Sequence, residues 1–142
     1  MKAMQAYDET TQLKVKSRDA IIHFDEGLIG FPEFKDFVLM DNESLAPFRL
    51  LQALDSPAVG FLVLEATALV NNFYETVPAR EWESLGINGK TKPLAFVIVV
   101  VGSAPQTSTG NFQAPLLVNY DKMVGKQIIL TDSGFSVRHP LL

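Results

Sequence analysis

The chain contains no cysteine, and among its 142 residues there are only two histidines and one tryptophan. Without cysteine it has no disulfide, no thiolate metal site and no cysteine nucleophile, so we expect a reducing compartment, the cytoplasm. The apolar run at residues 95–101 is far shorter than the ~18 to 20 residues of a membrane-spanning helix. We therefore expect no contact with the membrane interior.

Basic residues are also scarce. Lys and Arg number 12 against 16 Asp and Glu, which gives a net charge of −4 and an isoelectric point near 5.1. The basic residues form no cluster longer than the spaced pairs Lys14/Lys16 and Lys90/Lys92. A nucleic-acid binder normally carries a basic stripe that displaces phosphate counterions. We expect no direct nucleic-acid binding, and partners that are neutral or basic.

Residues of catalytic or metal-binding type do not form a recognisable motif. His23 alternates with apolar neighbours in AIIHFDE, so we expect it to face solvent from a strand. Asp132, Ser133 and His139 are the residue types of a hydroxyl nucleophile with its base, but the Gly-x-Ser-x-Gly elbow is absent and Asp-Ser-Gly is typical of a turn. We expect no enzymatic activity, no metal and no cofactor, with a hydrolase using His139 as the remote alternative.

The sequence does contain a succession of short apolar segments bounded by turn residues. Because no helical pattern separates them to supply parallel crossovers, we expect a mainly β, antiparallel, barrel-like single domain over residues 1–142, with residues 1–10 mobile. Closure removes exposed strand edges, and a β-sandwich is the alternative. The expected strands are 21–24, 37–40, 48–54, 61–64, 94–101, 115–120, 127–130 and 135–137, after an alternating pattern at Leu13 and Val15.

One segment, TVPAREWESLGIN at residues 76–88, has a helical pattern. Pro78 suits a first helical turn, Trp82 and Leu85 lie on one face, and Gly86 suits a left-handed helix end. We expect a single short helix at about 78–86. Since the strand at 94–101 is continuously apolar, we also expect both of its faces to be covered, by the barrel interior and by this helix.

The stretch TGNFQAPLLVN, residues 109–119, runs from a polar loop into an apolar strand. Pro115 has no N–H to donate to a strand ladder, and the side chains of Asn111 and Gln113 can bond irregular backbone. The pattern predicts a bulged entry into the strand, and a contact surface is the alternative.

In order and spacing, the chain resembles the FliW family of flagellar assembly factors from about residue 15 to residue 142. The matching stretches are FDEGLIGFPEFKDFVLMD (24–41), PFRLLQALDSPAVGFLVLEA (47–66), FYETVPAREWESLGI (73–87), GNFQAPLLVN (110–119) and GKQIILTDSGFSVRHPL (125–141).

The resemblance implies a small, mostly β, barrel-like cytoplasmic protein that is not an enzyme. It implies a chaperone that binds flagellin and, once flagellin is exported, binds the translational regulator CsrA and relieves its repression of flagellin translation. We expect the protein to be a monomer. The alternative is a small-molecule-binding β-barrel, since closed β folds often hold a ligand.

Partner-binding residues are expected among exposed aromatic side chains, which would anchor the amphipathic ends of flagellin, and among acids that would face a basic regulator. The aromatic residues of GLIGFPEF either cap the core or lie exposed. The candidates are Phe31, Phe34, Asp41, Glu43, Phe73, Tyr74, Asn111 and Phe112.

Overall fold

The computed structural model describes residues 19–131 and 133–141. The expectations for residues 1–10 and for Leu13 and Val15 lie outside the described residues. In this part of the chain, nine strands form one sheet. They are β1 (Ala20–Phe24), β2 (Asp36–Met40), β3 (Arg49–Ala53), β4 (Gly60–Glu65), β5 (Leu94–Val100), β6 (Thr109–Gly110), β7 (Leu116–Asn119), β8 (Val124–Gln127) and β9 (His139–Pro140).

Seven of these strands close into a barrel, which confirms the expected fold class. Their order is β4-β3-β2-β1-β8-β7-β5, and the pairing of β5 with β4 completes the circle. Neighbours are antiparallel except β1 and β8, which run parallel. Beyond the barrel, β6 pairs with the end of β5, and β9 pairs with β6.

The barrel interior is filled by apolar side chains from alternate strand positions. Phe24 and Phe37 are fully buried, and their rings meet edge to face with centroids 5.7 Å apart. Strand β5 adds Leu94, Phe96 and Ile98 to the same cluster. Burial of this much apolar surface is the main favourable term in folding.

A second core covers the outer face of β5. Val97 and Val99 pack there with Trp82 and with residues of the C-terminal segment. The expectation that both faces of this strand are covered is thus confirmed over most of its length. It is wrong at the end of the strand, where Val100 and Val101 are each 65% exposed.

The helix α1 (Ala79–Ser84) lies within the expected interval. It ends as predicted, because Gly86 has a φ of +80° and its N–H donates to the Glu83 carbonyl, while the Ile87 N–H donates to the Trp82 carbonyl. In the described residues no helix is long and apolar enough to cross a membrane. Short 3-10 turns occur at Glu43–Leu45, Ala66–Ala68, Phe73–Thr76 and Pro105–Thr107.

Two expected strands near the C-terminus are wrong. Strand β8 begins earlier than the predicted 127–130, and residues 135–137 form no strand. The sequence pattern did not predict the start of β8, because glycine, here Gly125, has a low propensity for strands. Its lack of a side chain is needed here, because a Cβ would lie 2.8 Å from both the Phe24 ring and the Leu117 carbonyl oxygen.

The segment at residues 111–115 is the bulge that the sequence predicts. Gly110 pairs with Val99 and Leu116 pairs with Phe96, so residues 97–98 of β5 oppose residues 111–115. The Asn111 side-chain oxygen accepts the Ala114 N–H at 3.1 Å, and the Asn111 N–H donates to the Ile98 carbonyl at 2.9 Å. The side chain of Asn111 therefore satisfies irregular backbone, as expected.

Candidate functional site

An apolar groove of about 570 Å³ lies on the outside of the barrel, beside the exposed end of β5. Of the described residues that line it, none is charged. Leu69 is 41% exposed and Val101 is 65% exposed, so apolar surface is open to solvent. The other main apolar residues lining the apolar groove are Pro47, Phe48, Leu64, Val99 and Leu141.

One wall of the apolar groove is the loop at residues 102–108, which folds tightly on itself. A Cβ at Gly102 would collide with the Thr107 hydroxyl. The Gly102 N–H donates to the Ser108 hydroxyl at 3.1 Å, and the Thr107 hydroxyl donates to the Ala104 carbonyl at 2.8 Å. This compact loop directly follows Val101 but does not cover its side chain, which stays 65% exposed.

A second concavity, the aromatic cleft, lies between α1 and the loop that follows it and has a volume of about 730 Å³. Its floor is apolar and its rim carries an exposed tyrosine and two exposed acids. The floor residues are Val77, Trp82 and Ile87, and the rim residues are Tyr74, Glu75 and Glu83.

Polar contacts hold α1 against the barrel and so fix the aromatic cleft. The Lys126 ammonium on β8 pairs with the Glu81 carboxylate and donates to the Ser84 hydroxyl at 2.6 Å. The buried Asn119 amide donates to the Leu85 carbonyl, at the helix end, at 2.7 Å. Because these contacts join the helix to two strands, the helix has a defined position on the sheet.

The structure corrects two of the sequence-predicted binding residues. Phe73 and Phe112 are fully buried, with ring centroids 5.7 Å apart, and Phe135 packs against both. They belong to the outer core, where both lie in one cluster of buried residues with Trp82 and Leu130. Neither side chain is available to a partner in this fold.

Phe31 and Phe34 lie together at one mouth of the barrel. Both are half-buried, with ring centroids 6.4 Å apart, and Phe31 also meets the Phe61 ring at 5.5 Å. Phe34 packs against the interior core, so this part of the segment caps the barrel. A role for the two rings in partner binding stays a prediction.

The remaining candidates are dispersed. Asp41 and Glu43 are exposed at the loop between β2 and β3, and Tyr74 is exposed at the aromatic cleft. Asn111 is half-buried, and its side-chain oxygen is used within the bulge. The sequence-predicted residues therefore form no single surface, and the residues lining the apolar groove were missed.

His23 faces solvent, as predicted. Its side chain is 46% exposed and bonds the Asp36 carboxylate through Nδ1 at 2.8 Å, with Asp25 3.5 Å from Nε2. The hydrogen bond to Asp36 raises the pKa of His23, and the negative charges of both aspartates add to this. No group of His, Asp and Glu suited to a metal ion occurs in residues 19–131 and 133–141.

The predicted alternative of a hydrolase finds no support in the contacts of its residues. His139 packs its ring against Phe112, with centroids 4.7 Å apart. The Ser133 hydroxyl accepts the Phe135 N–H at 3.1 Å, which is a contact within the turn. Asp132 lies outside the described residues.

Comparison with known proteins is consistent across sequence and structure. A model of the FliW protein family matches residues 6–141, a wider span than the resemblance from residue 15 suggested. The flagellar assembly factor FliW of Geobacillus sp. (strain WCH70) is 35% identical over 121 residues, which cover 85% of this chain and 83% of that protein. FliW of Leptospira interrogans serogroup Icterohaemorrhagiae serovar Lai (strain 56601) is 34% identical over 132 residues, covering 92% and 87%. A crystal structure of the flagellar assembly factor FliW matches with a TM-score of 0.77 and 33% identity, covering 92% of this chain and 90% of that one.

Proposed function

The chain belongs to the FliW family of flagellar assembly factors, and from this premise we propose that it binds flagellin as a cytoplasmic chaperone and antagonises the translational regulator CsrA. Flagellin synthesis would then be coupled to flagellin export. The apolar groove is the observation that carries the flagellin part of this proposal.

The apolar groove has the shape and chemistry for an amphipathic helix. Exposed contiguous apolar surface usually marks an interaction site, and Leu69 and Val101 provide it here. The polymerising ends of flagellin are amphipathic helices that must stay unpaired before export. A groove of this kind accepts the apolar stripe of such a helix, with anchors spaced one helical turn apart.

The alternative, a small-molecule-binding barrel, has less support. The barrel interior is occupied by its own side chains, including Phe24 and Phe37. Ligand sites use a few convergent polar groups to fix orientation, whereas the described side chains that line the apolar groove include only two polar ones, the hydroxyls of Ser103 and Ser108. An apolar helix face needs no such groups.

Val101→Asp is expected to weaken flagellin binding at least about tenfold. An apolar side chain of flagellin that docks in the groove would remove water from the new carboxylate, which is unfavourable. Val101 is 65% exposed, so the melting temperature should stay close to that of the wild type. Titration calorimetry with purified monomeric flagellin measures the change. Ile129→Asp is the matched control, since Ile129 is 61% exposed and does not line the apolar groove.

Two results would contradict this account in different ways. If Val101→Asp binds flagellin as tightly as the wild type, the groove is not the binding surface. If the wild-type protein binds no flagellin at all, the chaperone role itself fails.

We expect the protein to inhibit RNA binding by the regulator through negative charge placed beside the RNA site, without occupying that site. Asp41 and Glu43 are exposed, and like charges interact over about a Debye length, ~8 to 10 Å at physiological salt. Excess RNA should therefore fail to restore RNA binding fully, and inhibition should weaken as salt rises. RNA titrations of the regulator complex at several salt concentrations measure both effects.

The matched variants for this test are Asp41→Asn with Glu43→Gln, and Glu26→Gln with Glu33→Gln, which removes two exposed acids elsewhere. The first pair should inhibit less and the second should inhibit normally. Full recovery by excess RNA, together with normal inhibition by the first pair, would point to direct competition instead.

A further inference from the structure

The aromatic cleft combines an apolar floor with two rim carboxylates that form no salt bridge within the described residues. Glu75 and Glu83 are exposed on its rim, and neither takes part in a salt bridge among the described residues. Glu81, which lies on α1 like Glu83, differs because its carboxylate pairs with Lys126. The two rim carboxylates are therefore free to pair with a partner.

Among the described residues, no basic side chain lines the aromatic cleft. In the loop after α1, the lining residues Gly89, Thr91 and Pro93 alternate with Lys90 and Lys92, which are exposed and do not line it. Arg80 lines a different hollow, on the other side of α1. The groups that face the aromatic cleft are thus acidic or uncharged.

The aromatic groups are placed to receive the aliphatic part of a long basic side chain. Tyr74 is 41% exposed, and the Trp82 ring is fixed because its Nε1 donates to the Tyr74 carbonyl at 3.1 Å. Lys and Arg lay their stems along apolar surface while the charged group stays in water, and Arg stacks on aromatic faces. A fixed ring loses little entropy when a ligand binds.

We propose that the aromatic cleft is a docking site for a basic, extended segment of a partner protein. The Lys or Arg groups of that segment pair with Glu75 and Glu83, and their stems and neighbouring apolar residues rest on Tyr74 and Trp82. The aromatic cleft is distinct in lining from the apolar groove. Assigning this segment to the regulator rests on the proposed function, whereas the chemistry of the aromatic cleft does not.

Trp82 is the single tryptophan of the chain, so its fluorescence reports on the aromatic cleft alone. The probe is a blocked peptide, Gly-Leu-Arg-Pro-Leu-Arg-Gly, and its counterpart has Glu in place of both Arg. The full-length protein is titrated with each. We expect a saturable change in Trp82 emission with the basic peptide and none with the acidic one.

Charge removal gives the matched test. Glu75→Gln with Glu83→Gln should raise the Kd for the basic peptide about tenfold at low salt, and the difference should shrink near 1 M salt, where the Debye length is ~3 Å. Glu26→Gln with Glu33→Gln makes the same change of charge at exposed positions that do not line the aromatic cleft and should leave the Kd unchanged. Both pairs replace exposed side chains, so the melting temperature should not move.

Four results would overturn the inference. The basic peptide leaves Trp82 emission unaltered, the acidic peptide binds equally well, or the Glu75/Glu83 variant binds like the wild type. A fourth is loss of peptide binding in Val101→Asp, which would place the peptide in the apolar groove. Since neither flagellin nor the regulator is used, failure here would leave the proposed function standing.

Discussion

Replacing Phe112 with Ala should lower the free energy of unfolding by about 3 to 5 kcal/mol, the range for deleting a fully buried aromatic ring. The ring has no exposed surface and packs against Phe73, Phe135 and His139, with centroids 5.7, 5.9 and 4.7 Å away. Its loss would open a cavity between the bulge and the C-terminal segment. Urea denaturation followed by circular dichroism measures the change.

Phe112→Leu is the control, because leucine keeps most of the apolar volume. This variant should lose no more than about 1.5 kcal/mol. If Phe112→Ala instead folds with normal stability but loses flagellin binding, the ring is a surface anchor and its place in the core is wrong.

The burial of Phe112 lay beyond sequence reasoning for a physical reason. Alternation assigns a side chain to one face of a sheet only while the strand is regular. Residues 111–115 oppose only residues 97–98, so the alternation is broken there. The bulge itself was predictable from Pro115, but the direction of the ring was not.

Phe73 and Tyr74 show that the sequence pattern does not predict side-chain burial in a turn either. The two aromatic residues are adjacent, yet Phe73 is fully buried and Tyr74 is 41% exposed. Both lie in the Phe73–Thr76 turn, where neither the strand period nor the helix period assigns a face. Only the position of the turn on the sheet decides which ring is buried.

The barrel and its helix were predictable because local signals agree there. Gly86 marks the helix end with the expected positive φ, and the regular alternation of β5 divides Phe96 and Val97 between the two cores. The apolar groove was not predictable. One of its walls is the loop at residues 102–108, which is held by contacts such as that of the Gly102 N–H with the Ser108 hydroxyl, and the period of the apolar run carries no information about such contacts.

The second large effect is expected at Trp82, which joins the helix to the outer core. Trp82→Ala should lower the free energy of unfolding by about 3 to 5 kcal/mol, because the ring is only 8% exposed and packs among the residues of that core. Thermal unfolding followed by circular dichroism measures it, since the variant has no tryptophan fluorescence. An unchanged melting temperature would refute the packing of α1 on β5.

Trp82→Phe separates the two contributions of this side chain. Phenylalanine keeps an aromatic ring in the core but cannot donate to the Tyr74 carbonyl, which the Trp82 Nε1 bonds at 3.1 Å. Losing that bond should cost about 0.5 to 1.5 kcal/mol, the usual net contribution of one hydrogen bond, because the Tyr74 carbonyl still accepts the Val77 N–H. Trp82→Phe should therefore be clearly more stable than Trp82→Ala. If the two variants are equally unstable, the hydrogen bond to the Phe73–Thr76 turn, rather than burial of the ring, holds the helix to the barrel.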